Sequence, residues 1–145
     1  MSGRFPRQDA PLIFFLLGAA GFIAAVQEAP FFWDTIQLAS KHAHFFYKNG
    51  LQWAVLPAEI DSGHPPFPGF YLAVLWTFFG KNLPVGHWGM LPFLWAAILF
   101  LYRLGKKLGG AEWAWWLLPL ALLDPVFIGQ SALVSPDLML AAFFL

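Results

Sequence analysis

The sequence has no cysteine and little charge, and each shortage excludes a class of protein. Without cysteine the chain can form no disulfide, thiol nucleophile or thiolate metal site. Only 11% of the 145 residues are charged, and eight basic side chains balance eight acidic ones, so no general positive field favours nucleic acid as a partner. The rest is 59% apolar and 19% aromatic, which predicts an all-α, polytopic helical membrane protein.

One polar segment, residues 31–66, interrupts the apolar sequence. It holds two aspartates, a glutamate, two lysines and three of the four histidines. Ionisable groups are costly to bury in hydrocarbon, so this polar segment is predicted to lie at the membrane–water interface and to carry the chemistry. Because proline and glycine are absent from Thr35 to Tyr47, one interfacial helix is predicted there, with Asp34 as its N-cap.

The apolar segments predict several membrane spans. Residues 67–79 are apolar but cover only roughly 20 Å of a 30 Å hydrocarbon core. If they form a juxtamembrane helix in a first outer loop, 33–82, five of the eight lysines and arginines lie inside and six of the eight acids outside, as the positive-inside rule favours. The sequence ends within an apolar run, which predicts the N-terminal part of a longer protein. The predicted spans are 10–32, 83–102, 112–128 and the start of another at 138–145.

Two acidic residues are candidates for catalysis. Asp34 is either a plain helix cap or a general base that deprotonates an acceptor hydroxyl or amine at the interface. Asp137 follows Ser135-Pro136, a pair that opens a helix, and the predicted topology places it on the same face as Asp34. The simpler interpretation of Asp137 is stabilisation of the helix dipole in the first turn.

The motif DSGHPP predicts a rigid turn, because prolines fix the backbone around His64. With Asp61 this histidine is a candidate for a divalent-metal or phosphate site, although a lone histidine is more often structural. Lys41 falls at helical spacing near the side of the candidate base. His42 and His44 point about 200° apart on a helix and are not expected to share a metal ion.

Four motifs follow one another along the chain: FWDTIQLASKHAHFFY, IDSGHPPFPGFYLAVLWTFFGK, LYRLGKKLGG and LVSPDLML. Together they resemble the N-terminal third of bacterial GT-C membrane glycosyltransferases, in the protein mannosyltransferase and aminoarabinose transferase group, glycosyltransferase family 39. The resemblance implies an enzyme of the bacterial cytoplasmic membrane. It would transfer a sugar from a polyprenyl-phosphate donor to a lipid, glycan or protein acceptor at the periplasmic face, and these residues alone would be inactive.

The resemblance also assigns roles to particular residues. Asp34 occupies the acidic motif of the first outer loop as general base, and Thr35 stands where the family often has a second acid. Asp137 matches an acid of the next outer loop, which orients the acceptor or a metal ion. His64 matches the basic or histidine residue before Pro-Pro in the family, and it would also be a ligand if a divalent metal ion takes part. Lys41 and Asp61 are added as substrate-binding residues from their positions in the sequence.

A different class of function stays open, namely a non-catalytic membrane subunit or a fragment of a transporter. Transporters hold their charges near the membrane midplane in interrupted helices, often within repeated halves. In this sequence the charges cluster outside the apolar segments and no repeat is visible, which favours the enzyme.

Overall fold

The structure, a computed structural model, describes residues 10–52 and 56–145, and within them the regular elements are all helical. The all-α class predicted from composition is therefore confirmed for the described residues. A π-helical segment, Ile36–Ser40, separates the second and third α-helices. The α-helices are α1 Ala10–Val26, α2 Trp33–Thr35, α3 Lys41–Lys48, α4 Phe67–Phe79, α5 Leu83–Leu122, α6 Pro125–Ala132 and α7 Pro136–Phe144.

Helix α5 is folded back on itself at Gly110. This residue has φ 85° and ψ −175°, a conformation that glycine adopts without steric strain. The rings of Tyr102 and Trp115 lie 4.8 Å apart, whereas a straight helix would separate these residues by about 20 Å along its axis. Gly105 also faces Ala114, whose Cα would lie 2.7 Å from an added Cβ. The turn predicted at KKLGG is therefore present, between arms formed by residues 83–109 and 111–122.

Helix α1 runs antiparallel to the first arm of α5. Trp88 Nε1 donates to Gln27 Oε1 at 2.8 Å, and Trp95 Nε1 donates to the Leu16 carbonyl at 2.9 Å. A later residue of α5 thus meets an earlier residue of α1. The side chains between the helices are apolar, and the core members buried to 2% exposure or less include Ile23, Leu94, Ile98 and Leu118.

Helices α4 and α5 form a second hairpin through a three-residue turn. The α4 bounds, Phe67–Phe79, are the bounds predicted from the sequence. Asn82 caps the next helix, because its Oδ1 accepts from Val85 N at 2.9 Å. Tyr71 OH donates to the Gly89 carbonyl at 2.8 Å, so α4 lies against the first turns of α5. Helix α3 in turn packs across α4.

Membrane-spanning capacity, judged from helix length and apolarity, is limited to a few elements. Within the described residues one helix, Leu83–Leu122, is long and apolar enough to cross a bilayer, with a mean hydropathy of 1.5. Helices α6 and α7 qualify together, but a 117° bend separates them. Helices α1 and α4 are apolar and shorter than such a span. These criteria by themselves therefore support one span, or two if the bent pair is one.

Two predicted boundaries differ because proline interrupts helices. The first segment was expected to run to residue 32, but α1 ends at Val26 ahead of Pro30. The segment 112–128 was expected to be continuous, but it breaks at Asp124-Pro125. There Asp124 Oδ1 accepts from Phe127 N at 2.9 Å and starts a new helix.

The predicted outer loop after that segment is also shorter than expected. Residues 129–132 belong to α6, so only the turn 133–135 separates α6 from α7. Ser135 caps α7, since its Oγ accepts from Asp137 N at 3.1 Å. The expectation that Ser135-Pro136 opens a helix is confirmed.

Candidate functional site

Asp34 lies inside α2, not at its N-cap. The N-cap residue is Phe32, with extended backbone (φ −78°, ψ 166°) and no side-chain hydrogen bond to the helix. The predicted capping role is therefore wrong, because the helix starts two residues earlier than predicted, at Trp33. The Asp34 side chain is exposed and forms no hydrogen bond or ion pair within the described residues. Its carboxylate is thus free to meet a molecule from the aqueous side.

A π-helical turn follows Asp34 directly. The amide of Lys41 donates to the Ile36 carbonyl five residues earlier, and the buried Thr35 hydroxyl has no partner among the described residues. Such turns are rare and occur frequently at functional sites. Because the wide turn changes the angle between Asp34 and Lys41, the helical spacing that placed them near one side does not apply.

Asp34 and Asp137 lie at the same end of the helix bundle. An added Cβ at Gly86 would lie 2.7 Å from the Phe31 ring and 3.4 Å from Val134 Cγ2. The link after α1 and the turn before α7 therefore meet at the start of α5. Each aspartate follows its contact residue by three positions, so each lies within about 11 Å of this junction. The prediction that the two acids share a face agrees with this geometry.

The loop 57–64 is fastened to α3 by two polar side chains. Lys41 Nζ donates to the Glu59 carbonyl at 2.7 Å, and His42 Nε2 donates to the Ile60 carbonyl at 3.1 Å. The His42 ring is fully buried, and its Nδ1 has no partner in the part of the chain that the structure describes. Burial lowers the pKa of His42, and the Ile60 carbonyl and nearby Asp61 oppose this only in part.

The DSGHPP turn is held by hydrogen bonds within itself. Asp61 Oδ1 accepts from Gly63 N at 2.9 Å, and His64 Nδ1 donates to the Ser62 carbonyl at 2.9 Å. Gly63 has φ 72°, a conformation that favours glycine. The structure thus gathers the predicted binding residues Lys41, Asp61 and His64 around one loop, and each also has a structural partner there.

The loop reaches the bundle through aromatic contacts. Phe67, three residues after His64, lies 6.0 Å from the Phe143 ring of α7, and Phe143 lies 5.9 Å from Phe93 of α5. The loop 57–64 and helix α7, which carries Asp137, are therefore neighbours.

A metal site at His64 is not completed by the residues near it. Within the described part of the chain, no group of three or more histidine, aspartate or glutamate side chains is placed to hold a metal ion. His64 Nδ1 already donates to the Ser62 carbonyl, which leaves Nε2 as the free ring nitrogen. The metal ligand role of His64 stays a prediction that needs further ligands from elsewhere.

His87 is a buried polar residue that the sequence analysis did not single out. It is 1% exposed, and its Nε2 donates to the Ala29 carbonyl at 3.0 Å. Its Nδ1 has no partner within residues 10–52 and 56–145. Its ring lies 5.9 Å from Phe31, beside the junction of the two aspartates. A histidine inside an otherwise apolar helix was the available signal.

Comparison with protein-family models, with curated proteins and with solved structures gave no match to this chain. The resemblance to GT-C glycosyltransferases therefore rests on the four motifs and stays a prediction. The geometry provides two exposed carboxylates at one end of a helical bundle, and a histidine-bearing turn that is linked to the same bundle through Phe67.

Proposed function

We propose that this chain belongs to a polytopic membrane glycosyltransferase. It transfers a sugar from a polyprenyl-phosphate donor to an acceptor at the outer face of the bacterial cytoplasmic membrane. The observation that carries the proposal is the pair of exposed acids, Asp34 and Asp137, on segments that meet at Gly86. A carboxylate with no internal partner is available to accept a proton from an acceptor hydroxyl or amine.

The proposed topology has α1 leaving the cytoplasm and the first arm of α5 returning to it. From Gly86 to the hairpin turn at Gly110 the arm rises about 36 Å, which is close to the thickness of a bilayer core. The second arm and α6 then lead back to the Gly86 end. The hairpin carries Arg103, Lys106 and Lys107, as expected of a cytoplasmic turn. Residues 33–79 form the juxtamembrane part of the first outer loop.

In the proposed reaction Asp34 takes the proton of an acceptor O–H or N–H while the acceptor atom bonds to the anomeric carbon. The bond from that carbon to the phosphate oxygen breaks, and the lipid phosphate departs with the electron pair. Asp137 orients the acceptor. Lys41 has three ammonium protons and uses one on Glu59, so it keeps two for the departing phosphate, beside His64. Asp61 holds the turn that positions His64.

The test of this proposal is sugar transfer by the full-length protein in liposomes, measured with a labelled polyprenyl-phosphate sugar. Asp34→Asn keeps the shape of the side chain and removes the base, and we expect transfer to fall by about 10²- to 10⁴-fold. Glu112→Gln is the matched control, because this exposed acid lies at the hairpin, far from Gly86. Equal transfer by wild type and Asp34→Asn would exclude Asp34 as base.

Topology has a separate test, which is simplified by the absence of cysteine from these 145 residues. Single cysteines at Gly63 and Lys107 are exposed to an impermeant maleimide in whole cells. We expect labelling at residue 63 and protection at residue 107 until the membrane is permeabilised. The opposite pattern would reverse the proposed orientation, and labelling of both positions would place the hairpin outside.

The 117° bend between α6 and α7 favours one alternative, a transporter fragment, because transporters build their sites from interrupted helices. The same liposomes distinguish the two functions. A transferase yields labelled product without moving free sugar into the lumen, whereas a transporter accumulates solute and leaves the donor intact.

A further inference from the structure

A basic cluster lies apart from the candidate site, where α3 meets the turn after α4. Lys81 Nζ donates to His44 Nδ1 at 2.6 Å and lies 5.0 Å from the centre of the Trp76 ring. Lys48 follows His44 by four residues in α3, so both side chains project from one face of that helix. The cluster is therefore built from two elements, 37 residues apart in sequence.

Within the described residues, no neighbouring carboxylate neutralises the positive charge of this cluster. Burial lowers the pKa of His44, and the charges of Lys81 and Lys48 lower it further. Within residues 10–52 and 56–145 no acidic side chain contacts Lys48 or Lys81. Two ammonium groups held near one imidazole without a counter-ion attract an anion.

Apolar side chains beside the cluster indicate which anion fits. Phe78 is 73% exposed and Phe79 is 69% exposed, and they precede Lys81 by three and two residues. Tyr47, partly exposed, packs edge-on against Trp76 with ring centres 6.2 Å apart. Lysines and aromatic rings in this arrangement are typical of the boundary between lipid headgroups and acyl chains.

We propose that Lys48, His44 and Lys81 bind the phosphate of an anionic phospholipid, while Phe78 and Phe79 contact its acyl chains. The site lies outside the proposed catalytic residues, since it includes neither aspartate nor any side chain of the 57–64 loop. It rests on the membrane location of the chain and not on sugar transfer. The bound lipid would hold α3 and the α4–α5 turn together at the bilayer surface.

The experiment measures thermal unfolding of the purified full-length protein in detergent during titration with dioctanoyl phosphatidylglycerol. We expect a saturable rise in unfolding temperature that the same concentrations of dioctanoyl phosphatidylcholine do not give. Lys81→Gln and Lys48→Gln should each weaken the apparent affinity by about fivefold, the effect of one lysine at an anionic surface. Lys81→Arg should retain binding, and Lys107→Gln, a lysine on the hairpin, is the matched control.

Several outcomes would overturn the proposal. Equal stabilisation by phosphatidylcholine would remove the role of charge, and equal stabilisation by inorganic phosphate would remove the role of the acyl chains. Unchanged affinity in both glutamine variants would place the lipid elsewhere. If Lys81→Gln unfolds because it loses its contact with Trp76, the affinity of the Lys48→Gln variant still tests the proposal, because Lys48 is exposed. Sugar transfer by the same preparations tests the proposed function separately, because lipid binding is scored without it.

Discussion

The outer-loop part, residues 33–79, and the helical bundle of α1 and α5 are held together by different interactions. In the bundle, apolar side chains fill the space between helices, and tryptophan N–H groups on α5 donate to α1 and to Gln27 just after it. In the outer-loop part, Lys41 and His42 donate to backbone carbonyls of a loop some 18 residues away. Some polar side chains of the outer-loop part thus form hydrogen bonds that hold the fold together, whereas others are carboxylates without such a bond.

That division matters for locating function. Lys41, His42, Asp61 and His64 each have a hydrogen bond that explains their presence, whereas Asp34 is exposed and has no partner within the described residues. An exposed carboxylate with no hydrogen bond in the fold is available to a substrate, whereas a side chain that fastens a loop is already engaged.

The largest expected effect comes from comparing two glycines, one closely packed in the outer-loop part and one with open space around it in α6. At Gly69 an added Cβ would meet His42 Cβ, the Ala39 carbonyl at 2.9 Å and Ala43 N at 3.0 Å. Gly69→Ala should therefore lower the free energy of unfolding by about 1–3 kcal/mol, through overpacking of α3 on α4. The control Gly129→Ala has no atom within 4 Å and should be neutral or stabilising. Thermal unfolding in detergent measures both, and equal midpoints would contradict the close approach.

A smaller effect concerns pH and tests whether His42 is a structural clamp. Because burial lowers its pKa in the folded protein, the unfolded chain binds more protons below the ordinary value of 6.5. Stability should be complete above that pH and fall as the pH drops below it. Asp61 opposes this shift, and Lys41 and His64 reinforce it. Urea or thermal unfolding between pH 8 and pH 5, at about half-unit steps, measures the slope. His42→Phe should reduce the loss, and an unchanged slope would assign it to other groups.

The smallest expected effect lies in the bundle. Trp95→Phe removes the N–H that donates to the Leu16 carbonyl and should cost about 0.5–1.5 kcal/mol, since the ring contacts are kept. Trp116→Phe, at a side chain 69% exposed, is the control and should change stability less. If the two variants have the same free energy of unfolding, α1 and α5 are held together by apolar packing alone.

Some of this arrangement could be predicted from the sequence because it depends on local signals. The bounds of α4 follow from the prolines before Phe67 and the glycine after Phe79, and the hairpin follows from the glycines near Lys107. The helix start at Ser135-Pro136 follows from cap chemistry in the same way. Such signals act over a few residues, so they can be recognised directly in the sequence.

Other features depend on contacts that periodicity does not encode. Lys81 meets His44 across 37 residues, and His87 meets Ala29 across 58, so neither pair could be predicted from spacing. The π turn was missed because its residues have ordinary helical composition, and Asp34 was misplaced as a cap because Trp33 begins the helix. That Asp34 and Asp137 share one end was predicted from charge distribution, and the geometry adds the junction at Gly86 through which they meet.

The π turn at Ile36–Ser40 has a consequence for how this protein can vary. Such a turn holds one residue more than an α-helical turn, so deleting a single residue there restores ordinary helical geometry. Because the wider π turn absorbs its extra residue, the deletion would leave the direction of Asp34 relative to Lys41 nearly unchanged, since six α-helical steps turn through about the same angle as the seven steps that include the π turn. We therefore expect single-residue gaps at this position among related sequences, each keeping the carboxylate on its present side of the helix.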